Sequence, residues 1–161
     1  MRTARILIAG IGNIFLGDDA FGVEVAQRLA ARPLPAGVRV VDFGIRGLDL
    51  TYALLEDYDQ VILVDAVQRG GKSGALYLIE PLTDEAGAMQ THEMAPAKAL
   101  AAAKSMGATL ANVILVGCEP ESFGTEDDPQ MGLSRAVEAA LDEAVALIEN
   151  LASRGLEAAH A

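Results

Sequence analysis

The sequence predicts an α/β fold: a single-domain three-layer sandwich with a mostly parallel, five-stranded twisted sheet, one antiparallel strand and helices on both faces. Three observations predict it. Short apolar runs rich in β-branched residues recur along the 161 residues, segments with helical periodicity separate most of them, and no linker or internal repeat divides the chain. Alternating strands and helices call for a parallel sheet covered on both faces. The length suffices for one core without disulfides, so residues 1–154 are read as the domain and 155–161 as a flexible tail.

The first strand lies in "RILIAG", near Arg5, and the loop "GIGNIFLGDDAFG" (Gly10 to Gly22) leads into a helix over "AFGVEVAQRLAAR". A second strand, "VRVVDF" from Val38, precedes the helix "GLDLTYALLEDY", and a third, "QVILVDA", starts at Gln60. The fourth, "GALYLIE" from Gly74, follows "QRGGKSG", which is too short for a crossover helix. The third and fourth strands are therefore expected to form a hairpin, which supplies the antiparallel member. The helix "HEMAPAKALAAAKSMG" precedes the fifth strand, "NVILVG" from Asn112. The last helix, "GLSRAVEAALDEAVALIENLAS", carries Val137, Leu141, Val145, Ile148 and Leu151 three or four residues apart, a stripe for one buried face. The strand runs do not alternate cleanly between apolar and polar, as expected of strands buried on both faces.

The charge narrows the partners. With 12 Lys and Arg against 23 Asp and Glu, and a formal net charge of −11, the chain lacks the basic surface that grips a phosphate backbone, so no nucleic acid is expected. No segment approaches the roughly 20 apolar residues of a membrane span. "ILIAGIG" is too short for the core of a signal peptide. A lone Cys118 fits a reducing compartment. A cytoplasmic, monomeric protein with a cationic partner is the reading that follows.

In a parallel α/β sheet, ligands collect at the carboxyl ends of the strands. The residues delivered there are Asp18 and Asp19, Asp42, Asp65, His92 and Glu93, and Cys118, Glu119 and Glu121, most of them acids. The glycine loop resembles a phosphate loop only superficially. Phe15 stands where a dinucleotide fingerprint needs its third glycine, and no Lys followed by Ser or Thr marks a P-loop. Asp18 and Asp19 would repel a pyrophosphate. Asp18 is read as the cap of the following helix, which leaves Asp19 unexplained beside a helix start. Asp19, Asp65 and His92, from three strand ends, offer two carboxylates and an imidazole, a set that suits a borderline divalent metal such as Zn, Ni or Mn. No short metal motif is matched, and the simpler roles of cap, backbone partner and solvated loop histidine stay open at this point.

The runs "ILIAGIGNIFLGDDAFGVEVAQRL", "VDFGIRGLDL", "VILVDAV", "THEMAP" and "VGCEPESFG" together resemble the hydrogenase maturation protease family, in order and over nearly the whole chain. That resemblance implies an endopeptidase that removes the C-terminal extension of a [NiFe] hydrogenase large-subunit precursor once nickel has been inserted. The cut follows a basic residue or histidine after the last nickel-binding cysteine pair. It also implies that Asp19, Asp65 and His92 are the metal-contacting and catalytic positions. The family's substrate-recognition segment falls on Asp42 to Gly47, with Asp42, Gly44, Arg46 and Gly47 as substrate-binding residues. Many members carry Glu where this chain has Asp19, and the missing methylene shortens the reach by roughly 1.5 Å.

The other protease chemistries fit less well. The chain has only two histidines, one of them His160 in the tail, so no Ser-His-Asp or Cys-His arrangement is forced. Cys118, in an apolar strand end beside Glu119, is in a setting that raises a thiol pKa. "HEMAP" begins like HExxH, but the second His would fall at Pro96, which instead suits the first turn of a helix. Metal-assisted hydrolysis remains, with Asp19 or Asp65 holding or deprotonating the water. The nickel is expected to come with the precursor; a cation of the protein's own, such as Zn, is the other version. "EPESFG" is read as the rim of the cleft, and Arg46 as pairing with Asp42 or Asp49. Two alternatives stand beside the protease: a non-catalytic nickel-sensing chaperone of the same precursor, and a nucleotide-binding domain.

Overall fold

The computed structural model describes residues 3–79, 95–110, 112–125 and 127–160. In chain order they form β1 (Ile6–Ile11), a 3-10 turn (Gly17–Ala20), α1 (Phe21–Ala30), β2 (Val38–Gly44), α2 (Gly47–Leu54), β3 (Gln60–Ala66), β4 (Leu76–Ile79), α3 (Ala95–Ser105), β5 (Val113–Cys118) and α4 (Arg135–His160). All five expected strands and all four expected helices are present.

The strands make one sheet in the order β2-β1-β3-β5-β4. β1, β3 and β5 are buried along their whole length, as their unbroken apolar runs require, and β2 and β4 form the partly exposed edges. Alternate residues of each strand serve opposite faces. Ile6, Ile8, Ile62, Val64, Ile114 and Val116 meet α1 and α4 through Phe21, Val25, Leu29, Leu141, Val145 and Ile148. Leu7, Ala9, Leu63, Val113 and Leu115 meet α2 and α3 through Leu50, Leu54, Leu100 and Ala103. Two apolar cores on either side of the sheet are the three-layer sandwich.

The expected hairpin is corrected. β4 runs antiparallel to β5, with Leu76 opposite Cys118 and Ile79 opposite Leu115, and β5 lies between β3 and β4. A short link excludes a crossover helix but not a step over one strand, since strands two places apart are only about 10 Å from each other. Glu119, just past β5, holds that link in place. Its Oε1 accepts the amides of Arg69 and Gly71 at 2.9 Å each and the Tyr77 hydroxyl at 2.7 Å. Its backbone exchanges bonds with Gly74 and Ala75.

α4 continues to His160, past Ser153, where the sequence reading ends the last helical segment. Leu156 packs against the core, and Gly155 lies so close to the Gln60 side chain that a β-carbon there would strike Oε1. Packing on one face stabilises the last turns. None of the helices is long and apolar enough to cross a membrane, among the described residues.

Glycines set the position of α1. A β-carbon on Gly22 would meet the carbonyl oxygens of Val64 and Ile11, and one on Gly10 would meet that of Gly22. The start of α1 therefore lies directly on the ends of β1 and β3, and the 3-10 turn before it is pressed over the same place.

Candidate functional site

From β1 the chain goes to β2 on one side and then returns past β1 to β3 on the other. The connections thus diverge at the carboxyl ends of β1 and β3, the switch point where sheets of this kind bind ligands. Asp19 follows β1, and Asp65 is the penultimate residue of β3. The two side chains are 2% and 3% exposed, and the 3-10 turn packs on β3, which carries Asp19 toward the strand end that bears Asp65. Asp19 Oδ2 accepts the Asn13 amide at 2.9 Å, and Asp65 Oδ1 accepts the Ala66 amide at 2.8 Å. Backbone donors hold both carboxylates in fixed orientations. Buried oxygen donors of this kind have the chemistry of part of a divalent-cation site. His92, the third expected ligand, lies outside the described residues, as does Glu93. Among the described residues no three His, Cys, Asp or Glu side chains form a metal-binding group.

The glycine loop spends its amides internally. Those of Gly12, Leu16, Gly17, Asp18 and Asp19 donate to the carbonyls of Gly44, Asn13, Gln130, Ser122 and Leu16. The amides of Asn13 and Phe15 are taken by Asp19 and by the Asn13 side chain. A phosphate cradle needs such donors turned outward, so the loop is not built to hold a phosphate.

Asp18 does not cap α1, as the sequence suggests; neither the 3-10 turn nor α1 has a side-chain cap. Its carboxylate, 1% exposed, reaches across to the loops after β5 and before α4. It accepts the amides of Glu121 at 2.8 Å, Ser122 at 3.2 Å and Ser134 at 2.7 Å, and the Ser134 hydroxyl at 2.8 Å. The two adjacent aspartates are divided in role: Asp18 pins the "EPES" rim, and Asp19 accepts the Asn13 amide within its own loop.

The segment after β2 forms the other wall. Gly44 has φ +54°, the left-handed conformation that turns the chain from β2 toward α2 and that residues with a side chain rarely adopt. Gly47 opens α2, and its carbonyl accepts the Thr51 hydroxyl at 2.9 Å. Arg46 is turned onto its own loop. Its guanidinium donates to the carbonyls of Phe43, at 3.2 Å, and Asp42, and pairs with the Asp49 carboxylate at 3.3 Å. Of its two expected partners, Asp49 is the ionic one and Asp42 is met through its backbone. A cleft of about 380 Å³ separates this segment from the loop after β1, lined by Gly12 to Phe15, Val23, Gln27 and Asp42 to Arg46. Ile14, Phe15, Ile45 and Leu48 stand exposed around it. Gln27 has no signature in the sequence beyond its place one helical turn after Val23.

Cys118 and Glu119 stand apart from this chemistry. Burial, reinforced by the negative charges of Asp18 and Glu119, pushes the Cys118 thiol up to about 12. That excludes a nucleophilic thiolate at neutral pH. Burial would raise the pKa of Glu119, but the hydrogen bonds from Tyr77, Arg69 and Gly71 and the charge of Arg69 outweigh it, and the carboxyl titrates below its ordinary range.

Residues 23–151 match the family model described as hydrogenase maturation protease. The chain belongs to the hydrogenase maturation protease family. It is 33% identical to the hydrogenase expression/formation protein HupD of Rhodobacter capsulatus, over 97% of this chain and 75% of that protein. It is 32% identical to the hydrogenase 2 maturation protease of Escherichia coli, over 96% and 94%. Its structure is similar to that of the hydrogenase maturating endopeptidase HybD from E. coli, with a TM-score of 0.77, 29% identity and 89% of each chain covered. As a hydrogenase maturation protease, the chain is an endopeptidase.

Proposed function

We propose that this maturation protease removes the C-terminal extension of a [NiFe] hydrogenase large-subunit precursor after nickel insertion, with Asp19, Asp65 and His92 as its metal-contacting and catalytic residues. The observation that carries the reading is the pair Asp19 and Asp65: two carboxylates, both almost wholly buried, one in the turn that follows β1 and the other at the end of β3, the two strands that flank the switch point. Together they offer buried oxygen donors, a set that fits a divalent ion. His92 would add the imidazole.

The nickel is read as part of the substrate, delivered by the precursor; the other version is a resident cation such as Zn. Either ion would polarise the scissile carbonyl and acidify a nearby water. The chain's own contribution is positional. The Asn13 and Ala66 amides orient the two carboxylates, and one of these carboxylates takes a proton from water as its oxygen attacks the carbonyl carbon. That proton then passes to the departing amide nitrogen as the C–N bond breaks. The acidic loops favour approach of a cationic segment.

The test is to incubate nickel-loaded and nickel-free precursor with the purified chain and to measure the intact mass of the large subunit. Loss of the extension from the nickel-loaded sample alone is expected. An unchanged mass in that sample would overturn the proposal and leave a binding role. A stoichiometric, tightly held metal in protein purified without added ions would overturn the assignment of the nickel to the substrate.

A further inference from the structure

The turn that carries Asp19 has little to hold itself together. It is a four-residue 3-10 segment, Gly17–Ala20, with no side-chain cap, entered through Gly17 at φ +56°. Turns this short have poorer hydrogen-bond geometry than an α-helix and are marginal on their own. All four residues are nevertheless buried. Support for the turn comes from outside it.

The backbone of Gln130, in the segment between β5 and α4, lies alongside Leu16 in a parallel bridge. The Gly17 amide donates to the Gln130 carbonyl at 2.8 Å, and the Gln130 amide donates to the Phe15 carbonyl at 2.9 Å. Two short paths lead from these bonds to Asp19. Leu16, clasped between them, accepts the Asp19 amide on its carbonyl at 3.1 Å. Phe15 gives its own amide to the Asn13 side chain at 2.9 Å, and the Asn13 amide donates to Asp19 Oδ2, also at 2.9 Å. One path reaches the Asp19 backbone and the other reaches its carboxylate.

Gln130 is itself held. Thr125 and Asp128 exchange backbone bonds at 3.0 and 3.1 Å, which closes the turn before it, and the Ser122 hydroxyl donates to Gln130 Oε1 at 3.2 Å. Gly124 fits so tightly against the bridge that a β-carbon there would lie 2.6 Å from the Gln130 amide nitrogen and 3.2 Å from the Phe15 carbonyl oxygen. Gln130 does not line the cleft beside β2; it borders a separate cavity of about 360 Å³ with Gly17, Ser122 and Ser134.

We propose that Gln130 is a positioning residue for the peptide-cutting reaction: its backbone bridge fixes the loop after β1 and so sets the place and direction of the Asp19 carboxylate. The inference rests on the reading of Asp19 as a catalytic residue. Displacing a reacting group by about 1 Å can cost about 100-fold in rate, so a bridge that only holds the loop has a kinetic effect.

The experiment reads position and catalysis separately, in Gln130→Pro, which removes the amide hydrogen, and in Gly124→Ala, which drives a methyl group into the bridge. Amide hydrogen exchange of the free protein reports position. In both variants the Gly17 and Asp19 amides are expected to exchange about 10-fold faster, the equivalent of one lost hydrogen bond, while those of Leu63 and Val64 in β3 keep their wild-type rates. Cleavage of the nickel-loaded precursor reports catalysis: kcat is expected to fall about 10-fold or more, with KM within about 2-fold of wild type. Gln130→Ala keeps both backbone groups and should recover most of what Gln130→Pro loses. Unchanged exchange at Asp19 in both variants would overturn the bridge. Equal acceleration at Leu63 and Val64 would do the same, because it marks general loosening. A normal kcat with a loosened Asp19, or a loss confined to KM, would overturn the positioning role. Wild-type protein that leaves the nickel-loaded precursor uncut would count against the proposed function, and exchange at Asp19 would still decide the bridge.

Discussion

Asp18 and Ser134, 116 positions apart in the chain, are joined twice: the Ser134 amide donates to Oδ1 at 2.7 Å and the Ser134 hydroxyl to Oδ2 at 2.8 Å. The same hydroxyl oxygen accepts the Val137 amide at 3.4 Å, which caps the start of α4. One buried carboxylate thus links the loop after β1, the rim after β5 and the last helix. Replacing Asp18 with Ala leaves several buried donors without an acceptor and is expected to cost about 3 kcal/mol of stability, measured by urea unfolding. Asp18→Asn should cost less, because the amide oxygen can still accept. A full-stability Asp18→Ala variant would contradict this role.

Asp19 and Asp65 predict the opposite balance. Asn at either position keeps an oxygen to accept the Asn13 or Ala66 amide but removes the charge. Precursor processing should fall by about 100-fold or more, as expected for several kcal/mol of lost transition-state stabilisation. Thermal unfolding should show a small change beside that loss. Retained processing in either variant, measured by intact mass, would remove that residue from the site.

The Glu119 staple predicts a pH dependence. Its folded-state pKa is lowered, despite the opposing effect of burial, by the bonds from Tyr77 and the Arg69 and Gly71 amides and by the Arg69 charge. A depressed carboxyl contributes stability above its unfolded pKa, and that contribution is lost as pH falls through the folded pKa. The stability difference between wild type and Glu119→Gln should therefore shrink between about pH 6 and about pH 3. Unfolding curves across that range check it. A constant difference would mean that the charge of Glu119 is not what holds the β3 to β4 link.

Cys118 predicts silence. With its thiol pushed up to about 12 by burial and then by the charges of Asp18 and Glu119, it should not react with a thiol reagent at pH 8 until denaturant is added. Cys118→Ala should keep processing the precursor. Rapid native-state labelling, or lost processing with intact folding, would reopen a thiol role.

The strands and helices were legible because each has a local signature. The apolar runs at Ile6, Gln60 and Val113 fill both faces of the sheet, and the Val137 to Leu151 stripe lies on one side of α4. The candidate site was legible in part, since the loops at strand ends can be placed once the sheet is known to be parallel. A cap is the role that spacing suggests for Asp18 because a capping bond is local, whereas its partners lie more than a hundred positions away. Gln27 carries no signal in the sequence because an exposed helical glutamine looks like any solvated residue until β2 brings Asp42 beside it.

The sequence by itself determined the layers, the number of strands and their succession along the chain, and the delivery of acids to one sheet edge, because periodicity and turn chemistry act between near neighbours. Only the tertiary structure decided that β4 pairs with β5, that Asp18 is a pin while Asp19 takes the Asn13 amide, that Arg46 is spent on its own loop, and that α4 runs to its last described residue. Those choices rest on hydrogen bonds and packing between segments far apart in the chain. The free energy of such contacts depends on where the whole fold places both partners, and no short stretch of sequence carries that information.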